Sequence, residues 1–239
     1  MRRRTRVVRG VLMSYSLTIV CLANSRKCSG RCIAGKEIGG GGVGGWVRPV
    51  SDRESREISE EERRYRDGSL PHPLDIITIP MKKPLPEVHQ SENHLIDQDR
   101  DWEKTGIFPW SDMPTLIDSP LRLWATNCSS YSGRNNRVPA GEPADSSLYL
   151  IQPSVVTLVV GVKAAEYPDS KRTVRAQFHY NSIEYLIDVT DPHIERIYLG
   201  RSDGEHTIEI PYVCISLGDE YNGYCYKFAA AILTRDRSQ

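Results

Sequence analysis

The chain carries no surplus of either charge: 31 Lys and Arg balance 31 Asp and Glu in 239 residues. A wholesale polycation or polyanion is excluded, so attraction for a charged partner has to be local. No stretch reaches the ~18 consecutive apolar residues that a membrane helix requires, and no membrane partner is expected. Close cysteine pairs are missing too. Six cysteines stand at 21, 28, 32, 128, 214 and 225 with no C-x-x-C among them, and Cys28 and Cys32 have no second ligand pair nearby. That excludes a zinc knuckle. No metal and no cofactor is expected, and the cysteines read as free, mostly buried thiols of a reducing cytoplasm. A hydrophobic content of 39% with 26% charged residues is that of an ordinary globular chain, long enough for one large domain or two small ones.

What is present is a local imbalance. Between Asn24 and Arg56 there are seven Lys and Arg against three acids, and between Glu87 and Glu103 six acids against Arg100 alone. The basic segment, Cys21 to Arg53, surrounds a glycine-rich loop with Arg26, Lys27, Arg31, Lys36, Arg48 and Arg53, and adds Trp46 and Asn24. Cations that neutralise a phosphate backbone beside a flat ring on which bases stack are a common way to hold single-stranded nucleic acid. These eight residues are the candidate site, with the cations on phosphates and Trp46 as the platform. The competing reading is a solvated basic loop, with Trp46 in the core.

Short β-branched runs bounded by turn residues predict strands at 16–22, 46–50, 74–80, 147–152, 155–162, 174–179, 183–189, 207–210, 213–216 and 226–233. Helical signals are few. Ser59–Glu62 fits a capping box opening a short helix towards Arg66, and Thr190–Leu199 fits another, with Asp191 as N-cap and Pro192 at the first position. From Pro80 to Asp145 the chain reads as a long irregular connection. The expectation is an all-β protein with two small barrels or sandwiches and a few short helices. The boundaries are 13–125 for the first half, 126–145 for the linker and 146–239 for the second. Residues 1–12 read as a disordered extension ahead of a start at Met13. A basic opening followed by VLMSYSLTIVCLA also resembles a secretory leader, which stays open as an alternative.

Catalytic motifs fail on context. The glycines Gly39, Gly41 and Gly44 fit a loose dinucleotide fingerprint, but a strand signal follows instead of a helix. Gly200-Arg201-Ser202-Asp203-Gly204 matches a nucleophile elbow as a string, yet a strand pattern follows it too. Asp97, Asp99 and Asp101 lack the glycine and the distal acid of a calcium loop, and read as a solvated acidic loop.

Seven segments carry a family resemblance: Cys21–Glu37, Gly44–Arg53, Asp67–Pro80, His89–Asp97, Ser146–Pro153, Val174–Pro192 and Cys214–Leu233. Together they resemble the dual OB-fold domain family of bacteria over nearly all of Ser16 to Leu233. The resemblance implies two OB-type barrels in tandem and a nucleic-acid-binding or sensing role linked to bacterial defence, and it carries no catalytic residue. The expected function is therefore a non-catalytic, cytoplasmic module for single-stranded nucleic acid or a nucleotide-like ligand. One alternative is a metal-dependent enzyme on nucleic acid or nucleotides, with Asn24, Arg26, Asp75, Glu92, Asn93 and His94 in its pocket. Another is an adaptor that docks a protein partner through Phe178, Tyr180 and Tyr185 of the second barrel.

Overall fold

In the computed structural model the described residues are 14–142, 144–166 and 170–238. The segment expected as a disordered extension, and most of the alternative leader, lie outside them. The first half contains β1 (Tyr15–Lys27), β2 (Gly30–Gly39), β3 (Gly42–Val50), β4 (Asp75–Pro84), β5 (Asn93–Ile96) and β6 (Glu103–Ile107). Strands β1, β2 and β3 form an antiparallel meander, β3 pairs with β5 in parallel, β5 with β4, and β4 returns antiparallel to β1. The ring is closed.

The second half contains β7 (Arg137–Pro139), β8 (Leu148–Ile151), β9 (Val155–Val162), β10 (Arg172–Tyr180), β11 (Ile183–Val189), α1 (Pro192–Leu199), β12 (Gly204–Glu209), β13 (Tyr212–Tyr221) and β14 (Tyr224–Leu233). Here β9, β10 and β11 form the meander, β11 pairs with β14 in parallel, and β14 pairs with β13. The chain bends between β12 and β13 at Ile210, which has φ of 48°, and β12 closes the ring on β9. Both halves thus have the strand order of a five-stranded Greek-key barrel, as the resemblance implies.

Several expectations need correction. The basic segment 21–53 is the β1–β3 meander, and its loop shrinks to the Gly40–Gly41 tip, where φ values of 58° and 106° call for glycine. The expected strands 16–22 and 46–50 fall in β1 and β3, while β2 escaped notice because Ala34, Gly35 and Lys36 interrupt any apolar alternation. The stretch 80–145 is not one irregular connection: β5 and β6 complete the first sheet, Trp110–Leu116 forms a 3-10 turn, and β7 pairs with β14. The capping box forms, with Ser59 N–H on Glu62 Oε2 at 2.7 Å and Glu62 N–H on Ser59 Oγ at 3.3 Å, but turns follow it and no helix. Helix α1 starts as expected, the Asp191 carboxylate accepting from the His193 and Ile194 N–H groups. All six cysteines are free, and three of them are buried.

Each barrel has its own core. Ile19, Cys21, Ile33, Val47, Ile77 and Ile79 fill the first, and Leu158, Val160, Val174, Ala176, Tyr185 and Ile187 fill the second. A third cluster joins the two. Val20, Leu22 and Ala34 on the outer face of β1 and β2 pack with Leu148, Leu150, Cys214, Ala231 and Leu233 of the second half, with Met113 and Leu116 wedged between. This explains why Ile19 to Ala23 is an unbroken buried run. Inward residues fill a barrel, and outward ones fill the seam.

Candidate functional site

The seam decides where the eight expected residues go. Lys36 and Trp46 face each other across β2 and β3, and both bond to Asp118 of the connecting segment: Lys36 Nζ to Oδ1 at 2.6 Å, Trp46 Nε1 to Oδ2 at 3.0 Å. The Leu150 N–H donates to the same carboxylate at 2.8 Å. Arg48 is 2% exposed. Its guanidinium donates to Glu92 Oε1 at 3.3 Å, to Ser147 Oγ at 2.6 Å and to Cys32 Sγ at 3.1 Å. Burial pushes the Arg48 pKa down, while Cys32 and Glu92 push it up and prevail. These three residues do not form the expected phosphate-and-stacking face, because the second half covers that face.

The other cations separate. Arg26 pairs with Glu195 at 2.9 Å, Lys27 with Asp219 at 3.0 Å and Arg53 with Glu62 at 3.3 Å. The first two pairs tie β1 to α1 and to β13, and the Arg26 N–H donates across the seam to the Thr190 carbonyl at 2.8 Å. Only Asn24 and Arg31 of the eight line a cleft of about 800 Å³ between the halves.

Three elements build that cleft. The 70–73 turn forms one wall, held by Asn24 Nδ2 donating to the Pro71 carbonyl at 2.7 Å. The first turns of α1 form the other, presenting His193 and Arg196, and Arg237 closes one end by bonding to Asp191 Oδ2 at 2.5 Å. Four arginines, Arg31, Arg63, Arg196 and Arg237, face two aspartates, Asp191 and Asp236. Arg63 is 6% exposed, yet its Nε has no hydrogen-bond partner, and neither does Oδ1 of Asn24. Burial, and then the Arg31 charge, pushes the Arg63 pKa down. Burial and Arg237 do the same to His193, against the opposing pull of Asp191. Burial is the larger cause in both, and the neighbouring cations Arg31 and Arg237 add to it.

The family model described as the dual OB-containing domain matches residues 17–232. The chain belongs to that family. No curated protein and no solved structure matches it. Membership gives this dual OB-containing domain protein the architecture of an OB-type binding module, in which the face of the second and third strands and the neighbouring loops commonly take the ligand. In its first barrel that face lies against the second half. In its second barrel the same face is crossed by the connecting segment: Arg134 and Leu186 exchange backbone bonds, and Arg175 Nη1 donates to the Ser132 carbonyl at 2.8 Å.

The remaining candidates fall apart in space. Asp75 accepts from Tyr65 and pairs with Lys104, Glu92 and Asn93 are buried beside Arg48 and Gln90, and His94 bonds to the Tyr15 hydroxyl. They do not share a pocket with Asn24 and Arg26. Phe178 and Tyr185 are in the second core and Tyr180 bonds to the Pro120 carbonyl, so the expected docking face of the adaptor reading is interior. Sequence reasoning missed Arg63, His193, Arg196 and Arg237, which come from three distant parts of the chain and carry no shared motif. No helix among the described residues is long and apolar enough to cross a membrane.

Proposed function

We propose that the protein binds a phosphate-bearing ligand, single-stranded nucleic acid or a nucleotide-like molecule, in the cleft between its barrels. Arg63 carries the reading. A buried guanidinium with an unpartnered nitrogen, next to Arg31 and with no carboxylate partner among the described residues, is costly unless an anion meets it. Arg31 and Arg196 likewise have no carboxylate partner among the described residues, whereas Arg237 is held by Asp191. Arg31 and Arg196 thus face the cleft as planar, two-pronged donors for phosphate oxygens, and Arg63 adds its unpartnered Nε, its Nη1 being held by the Ile58 carbonyl at 3.3 Å.

The test is fluorescence anisotropy with single-stranded RNA, single-stranded DNA and duplex. Three phosphate contacts on a single strand give a salt slope of about −2, so affinity is expected to fall about 20-fold between about 50 and about 200 mM salt. Arg196→Ala, at an exposed position, is expected to weaken binding at low salt and to reduce that fall to about sevenfold. An unchanged slope in Arg196→Ala and Arg31→Ala together removes the cleft from the account.

A further inference from the structure

A second concavity of about 330 Å³ opens at the seam, with the Arg26–Glu195 pair in its wall. Its size is at the small end of ligand sites, which run from about 300 to 1,000 Å³. Its chemistry differs from that of the cationic cleft. Every basic group in the wall is already held by a carboxylate: Arg26 by Glu195, Lys27 by Asp219, Lys163 by Asp188 at 2.5 Å, and Arg48 by Glu92. Such a wall offers no open cation to a phosphate or a carboxylate. It suits an uncharged ligand.

Two wall atoms lack hydrogen-bond partners, Oδ1 of Asp188 and Oγ1 of Thr173. Asp188 stands opposite Arg175 in the β10–β11 ladder, so Thr173, two residues from Arg175, is its diagonal neighbour on the same face. A buried polar atom left without a partner is unfavourable. Both residues line the cavity, and the other carboxylate oxygen of Asp188 is held by Lys163. The pairing needed is one donor for the carboxylate and one acceptor for the hydroxyl, over the apolar surface of Val174, Val189 and Phe228.

We infer that this pocket takes an amino-bearing nucleobase or nucleoside. The exocyclic amine donates to Asp188 Oδ1, and the Thr173 hydroxyl donates to the adjacent ring nitrogen. The choice of a nucleobase among flat amino-bearing rings rests on the nucleotide-class reading above. The walls of the pocket do not include Arg31, Arg63 or Arg196.

Calorimetric titration of the full chain with adenosine and inosine tests it. Adenosine is expected to bind, and inosine, which sets an oxygen where the amine was, to bind about tenfold more weakly or less. Thr173→Val keeps the side-chain shape and is expected to weaken adenosine by about three- to tenfold, the net worth of one hydrogen bond. Cys32 lies in the wall, so bound adenosine slows its alkylation by iodoacetamide and leaves the exposed Cys28 unchanged. No adenosine binding, equal binding of adenosine and inosine, or unchanged Cys32 alkylation at saturation overturns the inference. The two nucleosides are compared on the unaltered protein, so the test survives a Thr173→Val chain that fails to fold. Oligonucleotide binding without nucleoside binding removes this pocket and leaves the cleft reading standing. Adenosine binding retained in Arg196→Ala supports the pocket whatever becomes of the cleft.

Discussion

Arg48 and Lys227 are two cations in near-complete burial, with opposite surroundings. Arg48 has Glu92, two hydroxyls and a thiol around it, and its charge is held. Lys227 is 1% exposed; its Nζ donates to the Ala125 carbonyl at 2.8 Å and lies 5.2 Å from the Tyr185 ring centroid. Burial pushes its pKa down to about 7, against weaker upward pulls from Cys128 and Glu142. In the unfolded chain the same amine titrates at about 10.4, so between about pH 7 and about pH 10 the unfolded state holds a proton that the fold lacks. Stability therefore rises with pH across that window, and the cost of the charge is fully present below it. Lys227→Met is expected to remove this dependence. Urea unfolding of both proteins should show the unaltered chain gaining on the variant by up to about 1.4 kcal/mol per pH unit in the window. A constant difference from about pH 6 to about pH 10 would show that the amine does not titrate there.

At the level of elements, the connecting segment does more than join. Through Asp118 it holds Lys36 on β2, Trp46 on β3 and the N–H of Leu150 on β8. Asp118→Ala leaves Lys36, 7% exposed, without its counter-charge. The expected loss of stability is about 3–5 kcal/mol, measured by chemical denaturation, with Lys36→Met restoring most of it. A loss below about 1 kcal/mol would mean that Lys36 finds water instead. Helix α1 was legible because Asp191-Pro192 is a local signal for a helix start, and β9 and β11 because they are β-branched. The pairing of Lys36 with Trp46 was not, although both were singled out. They were read as a phosphate contact and a stacking platform, and nothing local to 36 or 46 indicates a carboxylate at 118. The same limit hid the cleft: Arg31 and Asn24 stood out in a basic run, while Arg196 and Arg237 are ordinary surface residues until β1 meets α1.

For the whole molecule, the shared cluster makes the two barrels one unit of packing. Val20, Leu22 and Ala34 are fully buried only when Leu150, Cys214 and Ala231 cover them. Separated halves would each expose an apolar face, and burial of such area is the main source of stability, at about 25 cal/mol per Å². One cooperative transition is therefore expected in urea, with tryptophan fluorescence and far-ultraviolet circular dichroism coinciding. Trp102 is in the first core and Trp124 in the second, so both halves report. Two resolved transitions would show that the seam is weaker than either barrel.

The Arg26 amide, whose proton crosses the seam to Thr190, has a further consequence. That proton meets solvent deuterium only when the barrels part locally or the chain unfolds. Its exchange is thus a clock for the breathing of the joint, read at a single resonance without any label. Compared with a core amide of either barrel, it would tell how often the joint opens relative to unfolding of the barrels themselves.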